Sequence, residues 1–200
     1  MNDSTQRYTK TAIILHWVIG FMIFGMFALG WYMSELPKDS PKAAALDLFD
    51  LGLYTLQFAE PLTPRTFYFN LHKSIGVTLL ALIAFRVFWR LANAAPTFPA
   101  TMREWEKKAA DIAHKGLYVL MVAMPVSGII MASYSKYGVK WFGVKLIAGL
   151  DNTPMRELFQ EVHEAIGAIL LAVIVVHVIA AIKHKVVDKD DVMKRMSLRG

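Results

Sequence analysis

The chain has no cysteine at all. This excludes disulfides, cysteine-held iron–sulfur clusters and covalent haem attachment through a Cys-x-x-Cys-His motif, so any metal must be held by other side chains. Charge is sparse as well. Asp, Glu, Lys and Arg make up 19% of the 200 residues, against a hydrophobic fraction of 56% and a mean hydropathy of +0.40. A soluble domain of this length carries less apolar surface, and the excess points to lipid. Internal repeats and low-complexity segments are also missing. The net charge of +6 could suggest nucleic acid, but the basic residues gather at the edges of apolar segments and not on a polar face, so no nucleic-acid partner is expected.

Uncharged runs at 11–33, 116–135 and 165–182 each approach the length of about 20 residues that a helix needs to cross a bilayer. A fourth run at 71–91 contains Lys73, Arg86 and Arg90, but its centre is uncharged, and long basic side chains near helix ends can reach the interface. The expected architecture is an all-α integral membrane protein, a single membrane domain over 1–200. Its four transmembrane helices should lie at about 11–33, 71–91, 109–134 and 162–183, with outer connections at 34–70 and 135–161. The first run is too long for the apolar core of a signal peptide and is read as retained. Within the first connection, 42–59 is rich in Ala, Leu and Phe and reads either as a helix lying on the membrane surface or as a partly ordered loop. Pro125 should bend the third helix. With these boundaries one side of the membrane receives 14 Lys and Arg and the other eight, which places both termini in the cytoplasm.

All six histidines, at 16, 72, 114, 163, 177 and 184, fall in or beside the expected helices, where an ionisable group needs a partner or a task. His163 and His177 are 14 residues apart, a rise of about 21 Å that returns nearly to the same helical face. One helix thus offers imidazoles at two depths. His16 on the first helix matches His177 in depth, and His72 on the second matches His163, giving two facing pairs suited to two haems in the bundle core. A flat macrocycle also needs room one turn beyond its ligand. Gly20, Gly76, Gly167 and Ala181 stand four residues after these four histidines, whereas Tyr118 and Asp188 follow His114 and His184. The alternatives are a pairing that uses His114, or packing without a cofactor. Arg86, 14 residues after His72, suits either a haem propionate or the role of a basic membrane anchor. His114 is expected to pack or to touch a propionate. His184 is expected to meet lipid head groups, and Trp17, Trp31, Tyr32, Trp89 and Trp141 to anchor the interface.

Several motifs carry a family resemblance across nearly the whole chain. They are Arg7-Tyr8-Thr9-Lys10 followed by Leu15-His16-Trp17, Leu71-His72-Lys73-Ser74-Ile75-Gly76, Arg86-Val87-Phe88-Trp89-Arg90, Pro125-Val126-Ser127-Gly128, Trp141-Phe142-Gly143, His163-Glu164, His177, and Lys189-Asp190-Asp191 with Arg195-Met196. In these the sequence resembles the bacterial dihaem cytochrome b(561) family, whose members include superoxide oxidase. The resemblance implies bis-histidine ligation of two b haems from the first, second and fourth helices, a place in the bacterial inner membrane, and ubiquinone as electron partner. The connection between the first two helices is longer here than in the family pattern.

Two functional classes follow. An enzyme would oxidise superoxide at the outer face, with Lys136, Lys140 and Lys145 steering the anion or merely solvating a loop. A relay subunit would instead exchange electrons with a periplasmic redox protein docked on the long connection. A haem-free transporter or scaffold is a more remote third class.

Overall fold

The computed structural model describes residues 7–99 and 102–198. Four helices dominate it: α1 (Lys10–Glu35), α2 (Pro64–Ala92), α3 (Glu104–Ser133) and α4 (Thr153–Lys183). All four are long and apolar enough to cross a membrane, and no more than 28% of any apolar window is buried within the chain. The remaining apolar surface therefore faces outward, as a bilayer-embedded bundle requires. Successive helices run in opposite directions: the start of α1, the end of α2, the start of α3 and the end of α4 meet at one end of the bundle, together with Met196.

Side-chain caps set the helix starts. Thr9 Oγ1 accepts from Ala12 N, Thr63 Oγ1 from Thr66 N, and Asn152 Oδ1 from Met155 N, each satisfying a backbone donor with no partner inside its helix. Pro64 and Pro154 fall in the first turns of α2 and α4, where a missing N–H costs nothing. Both helices consequently start well before the hydrophobic runs do. Pro125 lies inside α3, which remains helical through it.

The connection between α1 and α2 is a β-hairpin, not a surface helix. β1 (Ala43–Asp47) pairs antiparallel with β2 (Thr55–Leu62). Its turn is held by Gly52 N donating to Asp47 Oδ2 and by Phe49 N donating to the hydroxyl of Tyr68, a fully buried side chain on α2. Leu46, Leu29 and Tyr68 form a small core under the hairpin, with Tyr32 and Phe67 packed against it. Lys42 and the Ala-rich stretch after it have no strong strand propensity, so these contacts decide the conformation.

A second hairpin joins α3 to α4: β3 (Val139–Trp141) pairs with β4 (Val144–Ile147). Gly138, at φ +64, sits against the carbonyl of Ile147 where a Cβ would collide with backbone. The hairpin is tied to α2 just past His72. Phe142 N donates to the buried Ser74 Oγ (2.9 Å), Trp141 Nε1 to Thr78 Oγ1 (3.0 Å), and Lys73 Nζ to Gly138 O (3.3 Å). Lys73 thus bonds to the hairpin's entry and does not extend to head groups.

Candidate haem-binding core

At the end of the bundle near the termini, four polar side chains meet, one from each helix. The rings of His16 and His177 lie 6.3 Å apart, centroid to centroid, and those of His114 and His177 5.5 Å. Arg86 Nη1 donates to Ala12 O at 2.9 Å, and its Nη2 faces His16 Nδ1 at 3.4 Å. With metal–nitrogen bonds of about 2 Å and a ring centre about 1 Å beyond each nitrogen, an ion between two imidazoles sets their centroids about 6 Å apart. The His16–His177 pair has that spacing.

At the other end, His72 and His163 lie within electrostatic range of each other, and each faces a glycine of a neighbouring helix. A Cβ built on Gly30 would stand 3.6 Å from His72 Cε1, and one on Gly128 only 3.0 Å from His163 Cε1. Ser127 Oγ donates its single proton to Met124 O (2.8 Å) and so accepts from His163 Nδ1–H (2.9 Å). This fixes the tautomer: Nε2 of His163 keeps its lone pair, the state a metal ligand requires. The buried Nδ1 of His72 has no hydrogen-bond partner among the described residues, which marks a place completed by something other than protein.

Fourteen residues separate the two depths on every helix. His16 is followed at that interval by Gly30, His72 by Arg86, His114 by Gly128 and His163 by His177. One layer therefore holds three histidines and an arginine, and the other two histidines and two glycines. Gly30, Ser127 and Gly128 were not singled out as site residues from the sequence, although applying the His163–His177 interval to His16 and His114 would have found both glycines. Between the layers lie Ile19, Ile23, Leu79 and Ile83, members of one apolar core cluster.

Of the glycines expected to make room for a macrocycle, Gly20 has open space around it, whereas Gly76 lies under Met26 Cε (3.7 Å) and Gly167 under Met124 Cε (3.2 Å). Both covering atoms are the tips of unbranched, adaptable side chains. The donor set, the fixed His163 tautomer, the orphaned His72 nitrogen and the glycine faces all fit a haem held by imidazoles. His184, expected at the lipid head groups, is instead 7% exposed, with Nδ1 at 2.7 Å from Asp190 Oδ2.

Across the second hairpin Lys140 stands directly opposite Lys145, and Lys73 is within electrostatic range of Lys140. None of the three forms an ion pair among the described residues. Like charges placed opposite one another on a hairpin are unfavourable, so this patch is disposed to receive an anion. Lys136 lies 5.2 Å from the Tyr137 ring.

The family model for prokaryotic cytochrome b561 matches residues 7–198. The chain belongs to that family. Within it, cytochrome b561 homolog 2 of Escherichia coli strain K12 is 28% identical over 199 residues, covering 97% of this chain and 93% of that protein. Cytochrome b561 homolog 1 of the same organism is 25% identical, covering 96% and 98%. A protein of Yersinia pestis named probable superoxide oxidase CybB is 27% identical, covering 96% of each chain. As a cytochrome b561 the chain is a bacterial membrane electron-transfer protein that binds b-type haem.

Proposed function

We propose that this cytochrome b561 carries two b haems, one between His16 and His177 and one between His72 and His163, and moves electrons between the outer membrane face and ubiquinone. The observation that carries the reading is the pair of imidazole layers at two depths of the bundle. Haem supplies reversible one-electron storage in an apolar interior that water does not enter. The residues do the rest. Ser127 holds His163 in its ligand tautomer, Gly30 and Gly128 let the outer imidazoles approach neighbouring helices, Gly20 leaves an open face beside His16, and Gly76 and Gly167 leave faces covered only by the flexible tips of Met26 and Met124.

Arg86 can only donate, so beside it His16 Nδ1 is an acceptor and Nε2 bears the proton. As a haem ligand through Nε2, His16 would carry its proton on Nδ1, and Arg86, bonded to Ala12 O, would keep its charge for a propionate. His114 is placed to support this layer without ligating, because Tyr118, one turn on, lies under Arg86 and fills the face a macrocycle would need. His114→Ala is accordingly expected to retain both haems. Loss of one low-spin bis-histidine signal from the electron paramagnetic resonance spectrum of that variant would reverse the assignment.

The excess of Lys and Arg on the side that bears the termini favours an inner-membrane protein with both termini cytoplasmic. Superoxide is the donor we favour. Two superoxide anions each lose one electron to give two dioxygen molecules, and one ubiquinone gains two electrons and two protons. Lys140 and Lys145, with Lys73 beside them, supply the attraction. Steering of this kind weakens as salt shortens the screening length from about 10 Å at 0.1 M to about 3 Å at 1 M. Stopped-flow reduction by superoxide is expected to slow with ionic strength. It should slow roughly threefold to tenfold in Lys140→Gln/Lys145→Gln with the haem spectrum unchanged.

A second reading, a relay to a periplasmic redox protein, is favoured by the tip of the first hairpin, where Leu53 and Tyr54 are 82% and 63% exposed. Reduction by superoxide no faster than spontaneous dismutation would leave this reading in place of the first.

A further inference from the structure

Beyond Lys183, the end of α4, the chain does not leave the bundle. Residues 184–188 form one wide turn, Lys189 takes the left-handed conformation at φ +53, and Asp190 Oδ1 accepts from Val192 N, so the chain reverses over the helix ends. Trp17 Nε1 on α1 then donates to Met196 O (2.9 Å), Arg7 Nη2 to Ser197 O (2.5 Å), and Arg195 Nη1 to Thr97 O. The result is a strap across the end of the bundle that ties residues 194–197 to Arg7 and Trp17. Between the strap and α1 are two adjoining cavities of about 380 and 460 Å³, both bordered by Ser197 and Leu198.

Each cavity combines basic and apolar walls. Lys10 and Ile13 line the first, and Lys185, Trp17 and Met193 the second. Lys10 and Lys185 form no ion pair among the described residues. The nearby carboxylates are already engaged: Asp188 with Lys183 (2.7 Å), Asp190 with His184 (2.7 Å) and Asp191 with Lys194 (2.7 Å). Among the described residues, Lys10 and Lys185 therefore meet no carboxylate that would compensate their charge. The cavities also sit where the apolar spans of α1 and α4 end, at the height of lipid head groups.

We infer that the space between the C-terminal strap and α1 is a binding site for the phosphate of an anionic phospholipid, with Lys10 and Lys185 as its cationic walls. The charge selects the occupant. A phosphate diester accepts from the ammonium group of either wall, Lys10 in the first cavity or Lys185 in the second, and its acyl chains can follow Ile13 and Trp17 down the outer surface of the bundle. A zwitterionic lipid would bring its own cation against the lysines, and a free phosphate ion would leave the apolar walls uncovered.

Native mass spectrometry of the detergent-purified holoprotein tests this with phosphatidylglycerol and phosphatidylcholine of identical acyl chains. One phosphatidylglycerol is expected to remain bound at collision energies that remove phosphatidylcholine. Its retention should fall about tenfold in Lys10→Gln/Lys185→Gln and not in Lys38→Gln/Lys42→Gln on the opposite connection. An unchanged haem absorption spectrum establishes that each variant is folded. Equal retention of the two lipids, or undiminished phosphatidylglycerol in Lys10→Gln/Lys185→Gln, would overturn the site. Displacement of the lipid by millimolar inorganic phosphate would reduce it to a simple anion site and overturn the lipid assignment.

Discussion

His177→Ala is expected to halve the haem content of the purified protein, from two haems per chain to one, and to leave the outer haem's absorption in place. The imidazole of His177 is the common neighbour of His16 and His114, at 6.3 and 5.5 Å, so its removal deprives the inner layer of the proposed ligand at its centre. His16 and His114 remain, but they come from helices positioned around His177, and Arg86 occupies the side of His16 that a rearranged ring would turn toward. The outer layer, about 21 Å away along the helix, is separated from this change by the apolar core of Ile19, Ile23, Leu79 and Ile83. His72→Ala is expected to do the converse. Loss of both haems from either variant would mean that the two layers are not independent sites.

Gly128→Val is expected to remove the outer haem as completely as deleting its ligand, although Gly128 touches no metal. A Cβ at this position already lies 3.0 Å from His163 Cε1 and 3.3 Å from Nδ1, and valine adds two methyl groups. Overpacking of this kind typically costs about 1–3 kcal/mol by forcing side chains off their rotamers. Here the displaced ring also loses Ser127, whose hydroxyl holds its tautomer at 2.9 Å. Ser127→Ala, which removes the hydrogen bond without adding volume, should give a milder result: both haems retained, with the outer reduction potential shifted. Haem stoichiometry and a redox titration separate these outcomes. A Gly128→Val protein with two unperturbed haems would show that His163 does not approach α3 as described.

The four spans were legible because lipid imposes one strong constraint, a long uncharged run, and the sequence has little else to confuse it. The starts of α2, α3 and α4 were not, since hydropathy is blind to polar first turns. The pairs Thr63-Pro64 and Asn152-Thr153-Pro154 carry capping information that apolar runs omit, and they start α2 and α4 at Pro64 and Thr153. The two hairpins were hidden for a different reason. They are short, and Tyr68, Ser74 and Thr78 on α2 hold them through contacts distant in sequence.

In the core, the depth argument from His163 and His177 placed His16 beside His177 and His72 near His163 because a helix converts sequence interval into distance without ambiguity. Residues whose function is to be small or to orient a neighbour, Gly30, Gly128 and Ser127, carry no chemical signal of their own. The two glycines are reached by carrying the 14-residue interval to His16 and His114, whereas Ser127 is recognised only once the His163 ring is located. The same holds for His184, whose acidic partner Asp190 comes within reach only because the chain reverses after α4.

A pyridine haemochrome assay on the purified protein, set against its concentration from amino-acid analysis, is expected to give two b haems per chain; one haem per chain, or none, is incompatible with two bis-histidine sites in this membrane bundle.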